Sequence, residues 1–135
     1  MVADDWVVSA DGGGSSTDVL LANIPLKIAL LKRGGGTNPN VYGDDGIERL
    51  RKLMQKVLSE TDVEAINVET CVVGMAGISH PKYRPTLKQT CEALFPQASL
   101  QLISDAELAH RTIWGEGPGM TLIVGTGSIA VGEDK

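Results

Sequence analysis

Residues 6–31 read WVVSADGGGSSTDVLLANIPLKIALL, and this segment carries most of the information about the fold. Three apolar runs in it, residues 6–10, 17–22 and 27–31, have the length and composition of buried strands. A glycine-rich turn separates the first two runs. Pro25, which cannot donate to a central strand ladder, marks the turn before the third. The segment therefore predicts three consecutive antiparallel strands.

A loop and a long helix follow this meander. Residues 33–40 have the composition of a loop, and Asp44 or Asp45 can cap the helix that comes after it. The apolar residues of this helix fall on one stripe at helical spacing: Ile47, Leu50, Leu53, Met54, Val57 and Leu58. The stripe predicts a helix with one face packed on the sheet.

Strands and helices then alternate. Apolar runs at residues 70–75 and 100–103 predict two more strands, with a helix between them. Ser104 and Glu107 have the spacing of a capping box, which predicts a third helix that ends near Trp114. The order β-β-β-α-β-α-β-α predicts an α/β domain with a mixed five-stranded sheet and helices on both faces.

The last residues of the sequence predict a separate hairpin. Residues 120–124 and 129–132 are apolar runs, joined by Gly125-Thr126-Gly127-Ser128. A two-stranded hairpin is marginally stable alone. We therefore expect residues 1–117 to form one domain and residues 118–135 to begin a second, truncated one, so that the chain is the N-terminal part of a longer protein.

Charge and composition exclude several classes of protein. The 135 residues include 12 Lys and Arg against 17 Asp and Glu, and this net charge of -5 argues against nucleic-acid binding. No apolar run approaches the ~20 residues that cross a bilayer. The acidic N-terminus lacks the basic region of a signal peptide. We expect a cytoplasmic protein with no membrane partner, in which Cys71 and Cys91 are buried thiols isolated from each other.

The first candidate site is the glycine-rich turn Asp11-Gly12-Gly13-Gly14-Ser15-Ser16-Thr17. Glycines let backbone N–H groups approach a bulky anion, and the three hydroxyl groups add donors, which is what a phosphate requires. Asp11 could hold a divalent cation through water molecules. A plain hairpin turn is the alternative. Most hairpin turns need only one glycine, however, and each further glycine costs conformational entropy on folding.

The turn Gly125-Thr126-Gly127-Ser128 repeats this chemistry on a smaller scale. Asp105 directly follows a predicted strand, where open α/β sheets collect their sites, and it could act as a general base. An acidic residue in a first helical turn is also favoured by the helix dipole alone. Asn38 suits sugar hydroxyls but lies among turn-forming residues, and the small pair Ala76-Gly77 permits close approach of either a ligand or a helix.

Taken together, these motifs resemble those of the N-terminal half of N-acetylglucosamine kinases and the wider BadF/BadG/BcrA/BcrD ATPase family, in the sugar kinase, hsp70 and actin superfamily. The matching segments are Asp11-Gly-Gly-Gly-Ser-Ser-Thr17, Gly36-Thr-Asn-Pro39, Val73-Gly-Met-Ala-Gly77, Ile103-Ser-Asp-Ala106 and Val124-Gly-Thr-Gly-Ser-Ile-Ala130. They occur in the family's order and at similar spacing. They cover nearly the whole chain, but only the first half of a typical family member.

The resemblance implies a ribonuclease-H-like domain, the first of two that bind ATP and Mg²⁺ between them. Both glycine hairpins would contact the phosphates, with Asp11 near the metal. Asn38, Ala76, Gly77 and Asp105 would contact an amino sugar, N-acetylglucosamine or glucosamine. Asp105 would take the proton of the sugar 6-hydroxyl as that oxygen attacks the γ-phosphate. The chain without its C-terminal domain would be inactive.

Two other functions remain open at this point. Some members of the wider family are ATPases that activate a partner reductase or dehydratase and hold an iron–sulfur cluster with cysteines at a dimer interface. A non-enzymatic module that binds a sugar or a nucleotide is the other alternative. In each case a face of the hairpin at residues 118–135 would be uncovered, which predicts a homodimer.

Overall fold

The computed structural model describes residues 5–115, 119–124 and 128–133. The strands are β1 (Trp6–Gly12), β2 (Ser16–Asn23), β3 (Ile28–Gly35), β4 (Val68–Met75), β5 (Ser99–Ile103), β6 (Gly119–Val124) and β7 (Ser128–Glu133). The helices are α1 (Pro39–Tyr42), α2 (Asp44–Thr61), α3 (Arg84–Leu94) and α4 (Asp105–Trp114), with a turn of 3-10 helix at Ala65–Asn67. The predicted order is confirmed, and α1 and the 3-10 turn are additions to it.

The five-stranded sheet has the order β3-β2-β1-β4-β5. β1 pairs antiparallel with β2, and β2 with β3, whereas β1 pairs parallel with β4 and β4 with β5. The mixed sheet and its opening meander are therefore confirmed. In the register of the sheet Gly12 lies opposite Met75, and Gly74 lies opposite Ile103. Because these three strands are parallel, the segments that follow them emerge at one edge of the sheet.

Helices cover the two faces of this sheet. On one face, buried side chains of the central strands pack with the inner faces of α2 and α3 in one hydrophobic cluster, which includes Val8, Leu21, Leu50, Met54, Val73, Met75, Leu87 and Phe95. Gly74 lies between Val73 and Met75 and so faces the opposite side. A Cβ atom at Gly74 would lie 2.6 Å from Cβ of Leu108, so α4 packs directly on the backbone of β4.

The segment from residue 33 to residue 45 differs from the prediction of a plain loop with an acidic helix cap. Gly34 and Gly35 continue β3, because they pair with Thr17 and Ser16. The short helix α1 follows, because the Asn38 side chain accepts a hydrogen bond from the Asn40 N–H at 2.9 Å. The expectation that Asp44 or Asp45 caps α2 is wrong, since the N-cap is Gly43. Both acidic residues lie in the first turn, where the helix dipole favours them.

The expectation that Cys71 and Cys91 are isolated from each other is wrong. Cys71 on β4 and Cys91 on α3 are both free and buried, and their thiols form a hydrogen bond. This hydrogen bond, together with burial, raises the pKa of the Cys71 thiol. The contact could not be predicted from the sequence, because it depends on how α3 packs against β4.

The antiparallel pair β6–β7 forms a second sheet, as the sequence predicted. Thr121 joins it to α4: its hydroxyl lies 2.8 Å from Nδ1 of the buried His110 and accepts a hydrogen bond from Nε1 of Trp114 at 3.0 Å. The division into two domains at residue 117 stays a prediction. Within the described ranges, no helix is long and apolar enough to cross a membrane.

Candidate active site

The first glycine hairpin joins β1 to β2 at the sheet edge where β1 ends. Gly12 and Thr17 form the last pair of the ladder, and the Gly13 N–H donates to the Ser16 carbonyl at 3.0 Å to close the turn. Gly14, Ser15 and Ser16 are exposed at its tip. The tip is therefore accessible to a ligand.

The carbonyl groups of the three glycines are all held by neighbouring loops. Gly12 O accepts from the Ala76 N–H at 2.9 Å. Gly13 O accepts from the Thr37 N–H at 2.9 Å and from the Asn38 N–H at 3.2 Å. Gly14 O accepts from the Tyr42 hydroxyl at 2.7 Å. The segment that includes α1 thus captures the last two carbonyls.

This capture fixes where the backbone donors point. In a trans peptide the C=O of one residue and the N–H of the next point in opposite directions, and none of the described peptide bonds is cis. The N–H groups of Gly14 and Ser15 therefore point away from α1, toward the open side of the hairpin. Neither donates a hydrogen bond to another residue of the described chain. Successive free N–H groups of this kind form an anion-binding nest.

The hydroxyl groups of the hairpin have different environments. Ser15 and Ser16 are exposed, whereas Thr17 is fully buried and its Oγ1 lies 2.9 Å from Oγ1 of Thr37. Thr17 thus links β2 to the segment that holds the glycine carbonyls. A Cβ atom at Gly12 would lie 2.5 Å from the same Thr37 hydroxyl, so a side chain there would displace this link.

Asp11 lies at the end of β1, close to two other carboxylates. Partial burial raises the pKa of the Asp11 carboxyl, and the negative charges of Asp105 and Asp18 raise it further, although Asp11 remains exposed as a residue. Asp18 is itself paired with Arg33, with Nε to Oδ1 at 2.7 Å. Asp11 and Asp105 thus come from distant parts of the sequence to the same region.

A cavity of about 450 Å³ adjoins Asp11 on the α4 side of the sheet. Its walls are Ser9 and Asp11 of β1 and Leu108, Ala109, Thr112 and Ile113 of α4. This cavity could not be predicted from local sequence patterns, because it depends on the distance between α4 and the sheet. It leaves open space beside the Asp11 carboxylate.

The carboxylate at Asp11 suits a hydrated divalent cation. Mg²⁺ is commonly bound by one or two carboxylates and several waters rather than by a full cage of side chains. No group of three or more His, Cys, Asp or Glu residues that could hold a metal occurs in the described ranges. Asp11, at the end of β1 beside open space, fits the first arrangement.

The N-terminal end of α4 positions Asp105. The predicted cap is confirmed: the Ser104 hydroxyl accepts a hydrogen bond from the Glu107 N–H at 3.0 Å. Asp105 is half-buried in the first turn, immediately after β5. The helix dipole favours a carboxylate at this position, so the position is consistent with either a structural or a catalytic role.

Two asparagine side chains surround the segment after β4. Gly77 has a φ of 81°, a left-handed conformation that favours glycine. A Cβ atom there would lie 2.6 Å from Oδ1 of Asn38 and 3.0 Å from Nδ2 of Asn40. The structure thus brings Asn38 next to Gly77, together with Asn40 of the same segment.

The second glycine turn is described only in part. Gly125, Thr126 and Gly127 lie outside the described residues. Ser128 begins β7, where its backbone pairs with Val124. A role for this turn stays a prediction.

Three known proteins resemble the chain. The N-acetylmuramic acid/N-acetylglucosamine kinase of Clostridium acetobutylicum is 25% identical over 131 residues, 96% of this chain and 43% of that protein. A crystal structure from Porphyromonas gingivalis, provisionally named an N-acetylglucosamine kinase, matches with a TM-score of 0.74 at 24% identity. A provisionally named N-acetylglucosamine kinase from Chromobacterium violaceum matches with a TM-score of 0.71 at 19% identity. The chain has the fold of these kinases.

The match covers most of this chain but only part of those proteins. It includes 95% of this chain and 44% of the P. gingivalis protein, and 95% and 45% for the C. violaceum protein. The chain thus spans less than half the length of these kinases. The resemblance to half of an N-acetylglucosamine kinase is confirmed, whereas membership of the BadF/BadG/BcrA/BcrD family stays a prediction. No protein-family model matches the chain.

Proposed function

We propose that the protein containing this chain transfers the γ-phosphate of ATP to the 6-hydroxyl of an amino sugar, N-acetylglucosamine or glucosamine. One observation carries the proposal. The captured carbonyls of Gly13 and Gly14 leave two N–H donors free on the open side of the hairpin, at the sheet edge that also bears Asp11 and Asp105. The similarity to kinases of N-acetylglucosamine supports the choice of substrate.

The first hairpin would bind the phosphates of ATP. The free N–H groups of Gly14 and Ser15, together with the exposed hydroxyls of Ser15 and Ser16, are the donors for this role. Gly13 shapes the turn and Thr17 supports it from below. The second turn, residues 125–128, would add donors from the other side. Asp11 would hold Mg²⁺, which when bound offsets phosphate charge and orients the γ-phosphate.

The sugar would lie between Asn38, the Ala76–Gly77 segment and Asp105. Asn38 offers both a donor and an acceptor to sugar hydroxyls, and Gly77 lets the sugar approach the backbone. Asp105 accepts the proton of the 6-hydroxyl while that oxygen forms a bond to the γ-phosphorus. The bond from phosphorus to the bridging oxygen breaks, and ADP leaves. The rest of catalysis is the alignment of the two substrates.

The proposal includes two interactions of this chain, one with a second domain of the same protein and one with a second copy of the chain. A second domain of similar fold would close over the ATP and supply the adenosine contacts, and residues 118–135 would be its beginning. Ile113, Trp114 and Met120 are exposed near the β6–β7 sheet. We therefore expect the isolated chain to self-associate, as a concentration-dependent increase in sedimentation coefficient. A monomer at high concentration would contradict this.

Calorimetry on the complete natural protein tests the proposal. We expect N-acetylglucosamine or glucosamine to bind, and Asp105→Asn to retain sugar binding while turnover falls at least ~100-fold, as for loss of a general base. Glu107→Gln is the matched control, because it removes a carboxylate of the same helix turn that is paired with Arg111. If neither sugar binds or stimulates ATP hydrolysis, the amino-sugar assignment is wrong.

An absorption spectrum of the same protein, together with the binding and turnover measurements, separates the two alternative functions. A partner-activating ATPase would carry an iron–sulfur cluster and absorb visible light. Cys71 and Cys91 are both buried in the hydrophobic core, so their positions do not favour an iron–sulfur cluster at a subunit surface. Sugar or nucleotide binding without turnover would instead indicate a binding module.

A further inference from the structure

Two side chains lie behind the first glycine hairpin, on the side away from its free N–H groups. Tyr42, half-buried at the end of α1, donates its hydroxyl hydrogen to Gly14 O at 2.7 Å. The guanidinium of Arg49 lies over the Tyr42 ring, 4.2 Å from its centroid. Nη1 of Arg49 also donates to Gly36 O at 3.2 Å. These contacts connect α2, α1 and the hairpin tip.

The Gly14 carbonyl differs from the two carbonyls before it. Gly12 O and Gly13 O accept from backbone N–H groups, whereas Gly14 O accepts from a side chain. The space around Gly14 is open, since a Cβ atom there would have no neighbour within 4 Å. No side chain restricts the Gly14 backbone, and glycine adopts either sign of φ readily, so the orientation of the Gly14–Ser15 peptide depends on what its carbonyl contacts. Among the described residues, the Tyr42 hydroxyl is the hydrogen-bond donor to this carbonyl, which also lies close to Gly36.

We propose that Tyr42 and Arg49 are positioning residues for the phosphate site. By holding the Gly14 carbonyl behind the hairpin, Tyr42 keeps the Ser15 N–H directed at the ligand, and Arg49 keeps the Tyr42 ring in place. Without the Tyr42 hydroxyl, the Gly14–Ser15 peptide can rotate. Its carbonyl oxygen then faces the phosphate, and the two negative charges repel each other. This inference deepens the proposed function and rests on it.

Tyr42→Phe in the complete natural protein tests the inference, because it removes the hydroxyl and keeps the ring. We expect the dissociation constant for ATP, measured by calorimetry, to rise about 3- to 10-fold, the effect of one hydrogen bond. The KM for ATP should rise with it, while the dissociation constant for the sugar and the melting temperature stay unchanged. Tyr83→Phe is the matched control, since Tyr83 lies next to α3, away from the hairpin, and its substitution should leave ATP binding unaltered.

A second pair of variants tests Arg49. Arg49→Gln should raise the dissociation constant for ATP by a smaller factor than Tyr42→Phe. Lys52→Gln removes an equal charge from the cleft that Arg49 and Lys52 both line, so it should have no effect. The double variant Tyr42→Phe/Arg49→Gln should bind ATP no more weakly than Tyr42→Phe, because both act on one peptide.

The outcomes distinguish the inference from the function on which it rests. Unchanged ATP affinity in Tyr42→Phe overturns the inference and leaves the kinase proposal standing. An equal loss of sugar affinity or a lower melting temperature also overturns it, because it would make Tyr42 a general structural residue. An unsubstituted protein that binds the sugar but no ATP overturns both.

Discussion

Gly36, three residues before α1, packs closely against the glycine hairpin. A Cβ atom at Gly36 would lie 2.2 Å from Gly14 O and 2.7 Å from Cε2 of Tyr42. Gly36→Ala should therefore push the two loops apart, reduce ATP affinity at least as much as Tyr42→Phe, and lower the free energy of unfolding by about 1–3 kcal/mol. Calorimetry and urea unfolding measure the two effects.

The neighbouring residue gives the control for this prediction. Gly35 is the last residue of β3, and a Cβ atom there would have no neighbour within 4 Å. Gly35→Ala should leave ATP affinity unchanged. If both variants behave alike, the close contact at Gly36 is not the cause.

The pair Asp18–Arg33 predicts a pH dependence of stability. The hydrogen bond from Arg33 holds the pKa of the Asp18 carboxyl below its usual range. The pair therefore stabilises the fold above the unfolded-state pKa of about 3.9, and this stabilisation is lost as pH falls through the folded-state pKa. Asp18→Asn should lower the melting temperature by roughly 2 °C at pH 7, because exposed pairs contribute little.

The effect should disappear in strong acid. At a pH below the folded-state pKa, Asp18→Asn and the unsubstituted protein should melt together. Glu64→Gln, at an exposed acid whose side chain makes no capping hydrogen bond, should show no difference at either pH. A constant difference across this range would contradict the assignment of the effect to the ion pair.

At the scale of the elements, α4 packs directly against the sheet because Gly74 has no side chain. A Cβ atom there would lie 2.6 Å from Cβ and from Cδ2 of Leu108. Gly74→Ala should therefore lower the free energy of unfolding by about 1–3 kcal/mol. It should also reduce turnover, because α4 carries Asp105.

A second substitution checks the cause. Leu108→Ala removes Cγ and Cδ2 but keeps the Cβ atom, so Gly74→Ala/Leu108→Ala should recover only part of the lost turnover. If the double variant loses the sum of both single effects, the two residues are independent and the prediction is wrong.

The elements themselves were largely predictable from local patterns. The apolar stripe from Ile47 to Leu58 predicted α2, and Ser104 with Glu107 predicted the start of α4, because both signals lie within a few residues. The short helix α1 was missed, since Gly34 to Asn40 has the composition of a loop. Pro39 and the Asn38 side chain form the helical turn there, and such a short turn has no apolar period to reveal it.

At the scale of the whole molecule, Thr121 links the two sheets through α4. Its hydroxyl interacts with both His110 and Trp114. Thr121→Val keeps the shape and removes the hydroxyl, so the buried His110 and the Trp114 N–H lose a partner. We expect faster hydrogen exchange of the backbone amides in β6 and β7, while the amides of the five-stranded sheet stay protected.

Thr90→Val is the control, because the Thr90 hydroxyl bonds within α3 to the Thr86 carbonyl. It should leave exchange in β6 and β7 unchanged. Equal protection of both sheets in Thr121→Val would mean that this hydroxyl does not join them.

The assembly of the candidate site was less predictable than its parts. Glycine spacing and terminal carboxylates identified the hairpin, Asp11 and Asp105 as candidates. That the hairpin carbonyls are held by Ala76, Thr37 and Tyr42 depends on contacts between segments far apart in the sequence. Tyr42 carried no local signal, because a tyrosine after a loop is equally consistent with a surface ring.

The buried thiol pair has a practical consequence. The sequence contains only Cys71 and Cys91, and both lie in the hydrophobic cluster between β4 and α3. A reagent that alkylates thiols can reach them only when this layer opens. The rate of thiol labelling therefore reports the rate at which the core opens, with no engineered probe required.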